Sequence, residues 1–275
     1  MTAARPTFSR HRWRSWLLAP VFGALTACTS GPSGNISLIP ANQIASQTQR
    51  TGLPTQTVKW EHRKPGCKSE CPSIKLDSIT FPTVPILGAL VDHALAVMTG
   101  VGASGPPPYD TVAGYETYFW ETAAPRDSTV LSAKIRYGNR NLTVIELDTW
   151  QYYTGAAHGV SATQFLNWDN ERHRVLGLAD ILEPGGHAAY VAALDESYQA
   201  WLARNPDAQR DPETYRRIWP FQPSDNFALT DEGLVVKYGS YQIAPYSAGQ
   251  PELLIPYAAL KGILRPRYLP DSARR

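Results

Sequence analysis

The residues with the clearest chemical potential lie in the segment 152–159, which reads YYTGAAHG. His158 stands among small residues, where a ligand can approach the imidazole, and an imidazole can act as a general base near neutral pH. The alternative is structural, because a histidine in a turn can hydrogen-bond to backbone groups and fix the loop. The sequence leaves both roles open.

Tyrosines offer a second kind of chemistry, which is contact with a partner. Tyr153 belongs to the same segment, and Tyr241 and Tyr246 lie in the later sequence YQIAPYSAG. Tyrosine is a frequent anchor of binding surfaces, although tyrosines also line cores with the hydroxyl at the rim. We predict a candidate ligand surface composed of Tyr153, Gly155, His158, Tyr241, Pro245 and Tyr246.

Signatures of established enzyme classes are missing from the sequence. It has no HExxH, no GxSxG and no phosphate-binding loop of the GxxxxGK[ST] type. Adjacent carboxylates occur at Asp195–Glu196 and Asp231–Glu232, but neighbours along a helix or strand point apart. A glycosidase needs two carboxyl groups about 5–9 Å apart across one bond. We therefore predict no catalytic residue, no metal and no cofactor, with an unrecognised hydrolase using His158 as the alternative.

The three cysteines have two predicted roles. Cys28 follows Leu25 and the small residues Thr26 and Ala27 at the end of an apolar run, which is typical of a bacterial lipobox and predicts lipidation of Cys28. The alternative is plain secretion with cleavage near Ala27, which leaves a free thiol. Cys67 and Cys71 are predicted to form a structural disulfide, since an exported compartment permits one and no second Cys or His pair has metal-site spacing.

The N-terminal residues indicate that the protein is exported to the cell envelope. Residues 1–27 contain four arginines and an apolar run too short for a spanning helix of about 20 residues, so we predict a lipoprotein signal peptide. The chain after residue 27 contains 22 Lys and Arg and 24 Asp and Glu, so its net charge is −2. This charge disfavours a nucleic-acid partner. Residues 28–55 are predicted to be a flexible tether to a lipid in the outer membrane or at the cell surface.

The sequence patterns predict that residues 57–265 form one α+β domain with a mainly antiparallel sheet and packed helices. In one alternative, residues 57–122 form a small N-terminal subdomain. Apolar alternation predicts a hairpin around the two cysteines, a meander from Ser128 to Trp168, and a closing hairpin. Leu131, Ala133, Ile135 and Tyr137 are expected on one face of the meander. Helical spacing predicts helices at 85–99, 111–122 and 187–204, followed by an irregular insert at 205–223.

Two separated motifs resemble those of a known family. Segment 152–159 is similar to the Tyr-Thr-Gly-Gly-Ala-His signature of the RsiV-like domain family, with Ala156 where the family usually has glycine, and residues 227–234 with 241–249 resemble its second signature. The family includes the ectodomain of a lysozyme-binding anti-sigma factor and a non-catalytic domain of a peptidoglycan deacetylase. The resemblance implies an RsiV/PdaC-like α+β fold and recognition of lysozyme or peptidoglycan, without the anti-sigma or deacetylase activity.

Three classes of function follow from these observations. The first is a lipoprotein that binds a protein or a glycan in the envelope, the second is a hydrolase, and the third is a structural envelope protein without a ligand. If the chain binds a partner through the two signature segments, these segments should lie side by side in the folded protein.

Overall fold

A computed structural model of the protein describes residues 52–100 and 105–270. The predicted signal peptide, the lipidation site Cys28 and most of the predicted tether lie outside the described residues. Within the described ranges, no helix combines the length and the apolar character needed to cross a membrane.

The described residues form two β-sheets. The larger sheet has six strands in sequence order, and its neighbours are antiparallel except for the parallel pair β2 and β3, which the chain connects through two helices. Its strands are β1 (Gln56–Arg63), β2 (Ser73–Thr80), β3 (Ser128–Gly138), β4 (Leu142–Tyr152), β5 (Val160–Asp169) and β6 (Arg174–Val175). The smaller sheet is antiparallel and consists of β7 (Phe227–Leu229), β8 (Gly233–Lys237) and β9 (Glu252–Pro256).

Local sequence signals explain where the helices begin. Proline occupies the first turn of α1, and the Thr111 side chain caps α2 by accepting a hydrogen bond from the Gly114 amide. The helices are α1 (Pro85–Met98), α2 (Val112–Thr122), α3 (Leu178–Ile181), α4 (His187–Leu202), α5 (Pro206–Arg210) and α6 (Pro212–Ile218). Short 3₁₀ segments lie at Tyr246–Ala248, Tyr257–Leu260 and Pro266–Tyr268.

The expectation of an irregular insert at 205–223 is wrong. The segment contains α5 and α6, each with proline in its first turn. Asn205 accepts hydrogen bonds from the amides of Asp207 and Ala208, and Asp211 accepts one from Thr214. These caps satisfy amides at the start of each helix, so polar residues that suggest a loop here begin two helices.

The six-stranded sheet separates two hydrophobic cores. Helices α1 and α2 cover one face, where Leu87 and Val91 meet Leu147. The smaller sheet and α4 cover the other face, where Leu194 packs in the same cluster as Val144. Because side chains alternate along a strand, β4 contributes to both cores. The predicted α+β fold with a mainly antiparallel sheet is therefore confirmed.

One residue of β3 faces the opposite way to the prediction. Ile135 packs in the core beneath the helices, as expected, but Tyr137 packs in the core of the smaller sheet. The register between β3 and β4 shifts between these two residues, which marks a β-bulge. A bulge inserts an extra residue and so reverses the side-chain alternation beyond it.

Amide side chains join the two sheets. Asn167, which is buried on β5, donates to the Phe227 carbonyl and accepts from the Leu229 amide. Asn226 accepts from the Phe165 amide and donates to the carbonyls of Thr163 and Lys237. These bonds satisfy backbone groups of β5 that face β7, and they fix the smaller sheet against the larger one.

The predicted disulfide is confirmed. Cys67 and Cys71 are bonded in the turn between β1 and β2, with their Cα atoms 5.7 Å apart. The bond closes the hairpin that the sequence predicts at this position.

Candidate functional site

The connection between β4 and β5 contains the first signature and has a defined shape. Asp127, which is buried, accepts hydrogen bonds from the amide and hydroxyl of Thr154, both at 2.7 Å, and from the Ala124 amide at 2.9 Å. Gly155 follows with a φ of +92°, a conformation that side chains with a Cβ rarely adopt. The positive φ falls on Gly155, so alanine at position 156 is compatible with the turn.

Gly159 ends this connection against an aromatic ring. A Cβ atom at this position would lie 2.3 Å from the indole of Trp150, which is closer than any side chain permits. The glycine therefore allows the backbone to pass directly over Trp150 and places His158 at the end of the smaller sheet.

We expect Asp127 to be the residue that stabilises this turn most. Replacing Asp127 with alanine should lower the free energy of unfolding by about 2–3 kcal/mol, because the amides of Ala124 and Thr154 lose their acceptor in a buried position. Denaturant unfolding measures this loss. The control is Glu121→Ala, an exposed change on α2, which should alter the free energy of unfolding by no more than about 0.5 kcal/mol. If Asp127→Ala also costs only about 0.5 kcal/mol, Asp127 is not the main stabilising residue of this turn.

The second signature lies in the connection between β8 and β9. Ile243 and Ala244 are fully buried and anchor this connection to the core. Tyr241, just before them, has a φ of +68° and a side chain that remains half exposed. Tyr246, just after them, begins a 3₁₀ turn. The buried pair thus holds two tyrosines on either side of it at the surface.

The two signature segments meet at His158. The ring of Tyr246 stacks on the imidazole at 4.2 Å between centroids, and the Tyr241 hydroxyl lies 3.0 Å from Nε2. The other ring nitrogen, Nδ1, lies 2.9 Å from the Gly159 carbonyl, which can only accept a hydrogen bond. Nδ1 therefore donates, and in the neutral ring Nε2 accepts from the Tyr241 hydroxyl.

A fourth aromatic residue extends this surface. Trp219, which follows α6, stacks with Tyr241 at 6.1 Å between ring centroids. We call His158, Trp219, Tyr241 and Tyr246 the aromatic patch. Sequence reasoning missed Trp219 because it lies in the segment that was expected to be irregular. The available signal was a tryptophan directly after the end of a capped helix.

A buried ion pair lies between the sheets, close to the aromatic patch. The Lys237 ammonium, on β8, lies 2.6 Å from Glu146 and 2.9 Å from Asp148, both on β4. Burial alone would raise the pKa of Glu146, but the hydrogen bond and charge of Lys237, together with Lys134 and Arg136, hold that pKa below its usual value. Burial would lower the pKa of Lys237, and its bonds to the two carboxylates raise it instead.

A cavity of about 390 Å³ adjoins the aromatic patch. Trp150 and Tyr246 contribute aromatic walls, and Asp148, Ser161 and Ser240 contribute polar groups. The two serine hydroxyls lie 3.2 Å apart and connect β5 to the second signature. The cavity therefore offers both apolar and hydrogen-bonding surface beside the exposed rings.

The six residues predicted to form a ligand surface do not all lie together. His158, Tyr241 and Tyr246 are in contact, Pro245 precedes the last of them, and Gly155 lies in the adjoining turn. Tyr153 does not reach the aromatic patch: its hydroxyl accepts from Gln151, in a cleft formed with α2 and the segment that follows α1. Tyr153 and Gln151 share the helix-covered face of the sheet, whereas Trp150 faces the smaller sheet, since side chains alternate along β4.

The surroundings of His158 do not resemble a hydrolytic site. A catalytic histidine is normally oriented by a carboxylate and contacts a nucleophile, whereas this imidazole contacts a carbonyl and a phenol. In the described part of the chain, no three His, Cys, Asp or Glu side chains are grouped so that they could hold a metal ion. The arrangement offers an aromatic contact surface with hydrogen-bonding edges.

Comparison with known proteins identifies the family. A sequence model described as "Protein of unknown function (DUF3298)" matches residues 179–258, which include Trp219, Tyr241 and Tyr246. No curated protein matches the chain.

Solved structures that are similar to the chain include two DUF3298 family proteins. One is a DUF3298 family protein from Pseudomonas aeruginosa, with 38% sequence identity and a TM-score of 0.72, over 79% of this chain and 97% of that one. The other is a DUF3298 family member from Bacteroides fragilis, with a TM-score of 0.62, over 79% of this chain and 95% of that one, and its 21% identity indicates a shared fold. The first match spans nearly the whole of its protein, and the RsiV-like resemblance is consistent with it. The chain belongs to the DUF3298 family.

Proposed function

We propose that this protein is a lipid-anchored protein of the bacterial cell envelope that binds a protein ligand through the aromatic patch. The proposal rests on the contact between the two signature segments, in which Tyr241 and Tyr246 both contact His158. The contacting residues are 83 apart or more in the chain. A surface assembled from such distant segments, in which His158 and Tyr241 are exposed and Tyr246 is partly exposed, is typical of recognition.

Backbone strain at Tyr241 supports the proposal. A positive φ at a tyrosine is uncommon, costs about 1–3 kcal/mol, and occurs most often at functional sites. The strained conformation keeps a large ring half exposed at the surface, where it contributes nothing to either core. Such a conformation is retained more readily if the exposed ring has a partner.

The chemistry of the aromatic patch favours a protein over a charged polymer. Tyrosine and tryptophan are enriched at the centres of protein interfaces, and the four rings of the patch are held together before any partner arrives. The family resemblance makes lysozyme the protein ligand to test first, and binding of peptidoglycan instead would favour the alternative of a glycan ligand. The small net charge of the chain beyond residue 27 gives no reason to expect nucleic acid.

The effect of Tyr246 on lysozyme binding tests this proposal. We expect the full chain to bind lysozyme saturably in calorimetry, and Tyr246→Ala to weaken binding about 30-fold, the loss typical of an interface hot spot of about 2 kcal/mol. The reason is that the substitution removes both its own contact area and the ring that stacks on His158.

A matched control separates this effect from general loss of apolar surface. Ile86 is 61% exposed on α1, on the far side of the six-stranded sheet, so Ile86→Ala should leave the affinity unchanged. Equal weakening by both substitutions would contradict binding at the aromatic patch. If neither lysozyme nor peptidoglycan binds the wild-type chain, this choice of ligands is wrong.

The lipid anchor is tested by a single substitution at the predicted site. Cys28→Ser removes the thiol that would carry the lipid, so the variant should move from the membrane fraction to the soluble fraction of lysed cells. Mass spectrometry of the wild-type protein should show the added acyl mass on the peptide that begins at Cys28. Membrane association of the variant equal to wild type would contradict lipid anchoring at this residue.

A further inference from the structure

A cleft on the helix-covered face of the six-stranded sheet has no part in the proposed function. We propose that this cleft binds a neutral saccharide, with Tyr118 and Tyr153 as the contact residues. Its volume is about 690 Å³, within the range of about 300–1,000 Å³ that is typical of small-molecule sites. Its described walls are the segment after α1 (Thr99, Gly100 and residues 105–109), α2 and the end of β4.

The cleft presents two partly exposed aromatic rings. Tyr118 is 40% exposed and Tyr153 is 47% exposed, whereas Tyr109 and Tyr115 are buried beneath them. The ring of Tyr109 lies 5.3 Å from Tyr118 and 5.1 Å from Tyr115, so the exposed ring rests on a rigid aromatic base. A flat ring of this kind matches the C–H face of a pyranose, which is apolar and equally rigid.

A chain of hydrogen bonds orients the polar edge of the cleft. Thr129 bonds to the Tyr115 hydroxyl at 2.6 Å, and the buried Gln151 amide donates to the hydroxyls of Tyr115 and Tyr153 at 3.4 Å and 2.9 Å. Because Tyr153 accepts from Gln151, its own hydroxyl hydrogen can be donated to a ligand oxygen. Burial also raises the pKa of Tyr153, which keeps this hydroxyl protonated.

The charge of the cleft selects among ligand classes. Among the described lining residues there is no lysine or arginine, which disfavours phosphates and nucleotides. Asp127 is the one acidic lining residue in that part of the chain, and its carboxylate is occupied by Ala124 and Thr154. A proline-rich peptide also binds aromatic grooves, but it does not require the buried amide–hydroxyl chain beneath the rings. A neutral polyhydroxylated ligand uses both features.

Binding of defined oligosaccharides tests this inference. We would titrate the full chain with chitotriose, cellotriose and maltotriose, and with a proline-rich decapeptide, and follow amide shifts by NMR. We expect at least one saccharide to bind saturably. Tyr118→Ala should weaken that binding about tenfold or more, and Tyr153→Phe, which removes only the hydroxyl, about 2- to 10-fold. Glu121→Ala, exposed on α2 and outside the lining, should leave it unchanged.

Three results would overturn the inference. These are the absence of saturable binding by all three saccharides up to about 10 mM, binding that neither tyrosine substitution weakens, and binding of the peptide alone. Unfolding midpoints of the variants exclude misfolding as the cause, and Tyr153→Phe retains the ring in any case. The test is independent of the aromatic patch, because the two sites lie on opposite faces of the sheet.

Discussion

Replacing Lys237 with methionine should lower the free energy of unfolding by about 3 kcal/mol. Removal of one partner from a buried ion pair typically costs about 3–5 kcal/mol, since the remaining charge stays buried without compensation. The lower end applies here because Lys134 and Arg136 remain 3.4 Å and 3.7 Å from the Glu146 carboxylate. Urea unfolding of the wild type and the variant measures the difference.

Two controls isolate the buried pair from surface charge. Lys134→Met removes a cation that also faces Glu146 but is 61% exposed on its side chain, so it should cost at most about 1 kcal/mol. Lys237→Met combined with Glu146→Leu removes both buried charges and should recover part of the loss. Equal effects of the two lysine substitutions would contradict the role of burial.

The same ion pair gives stability a defined dependence on pH. The pKa of Glu146 is lowered in the folded protein, so its contribution is present above the carboxyl pKa of the unfolded chain, about 4.3, and is lost as pH falls through the folded value. The pKa of Lys237 is raised, so its contribution is present below about 10.4 and is lost at higher pH. The destabilisation by Lys237→Met should therefore be constant between about pH 5 and 10 and shrink below that range.

Gly233→Ala should destabilise the protein by about 3 kcal/mol, the upper end of what overpacking costs. A Cβ atom at Gly233 would lie 2.2 Å from the carbonyl oxygen of Ile255 on the neighbouring strand. The obstacle is backbone, which cannot rotate away as a side chain can, so β8 and β9 must separate. Thermal and denaturant unfolding both report the loss.

The matched control is another glycine in the same region. A Cβ atom at Gly239 would meet the Gln242 side chain at 3.5 Å, an ordinary contact. Gly239→Ala should therefore change stability by no more than about 0.5 kcal/mol. If the two alanine substitutions have the same effect, close strand approach is not the reason for glycine at position 233.

Local patterns were sufficient to predict most of the elements. Alternation around the two cysteines predicted the β1–β2 hairpin, and the stripe that includes Tyr190, Leu194 and Tyr198 predicted α4, with all three buried as expected. These features depend on residues close in sequence. The two signatures also predicted His158, Tyr241 and Tyr246 as members of one ligand surface, and these three residues are in contact.

The features that sequence did not reveal depend on long-range geometry. The parallel pairing of β2 and β3 follows from a helical crossover, and the reversal at Tyr137 follows from a bulge that no residue type marks. Tyr153 belongs to the first signature segment, but its side chain lies on the opposite face of the sheet from His158. In the sequence, Lys237 is an ordinary polar residue at the end of a strand. Its ion pair is not apparent there, because Glu146 is 91 residues away in the chain and lies within 2.6 Å only in the folded protein.

The central claim is that the aromatic patch is the surface that contacts the ligand, and hydrogen–deuterium exchange with and without lysozyme tests it most directly. We predict slower exchange at residues 154–159 and 239–250 in the complex, with no change in α1. Protection elsewhere on the protein, with these two segments unchanged, would contradict the claim.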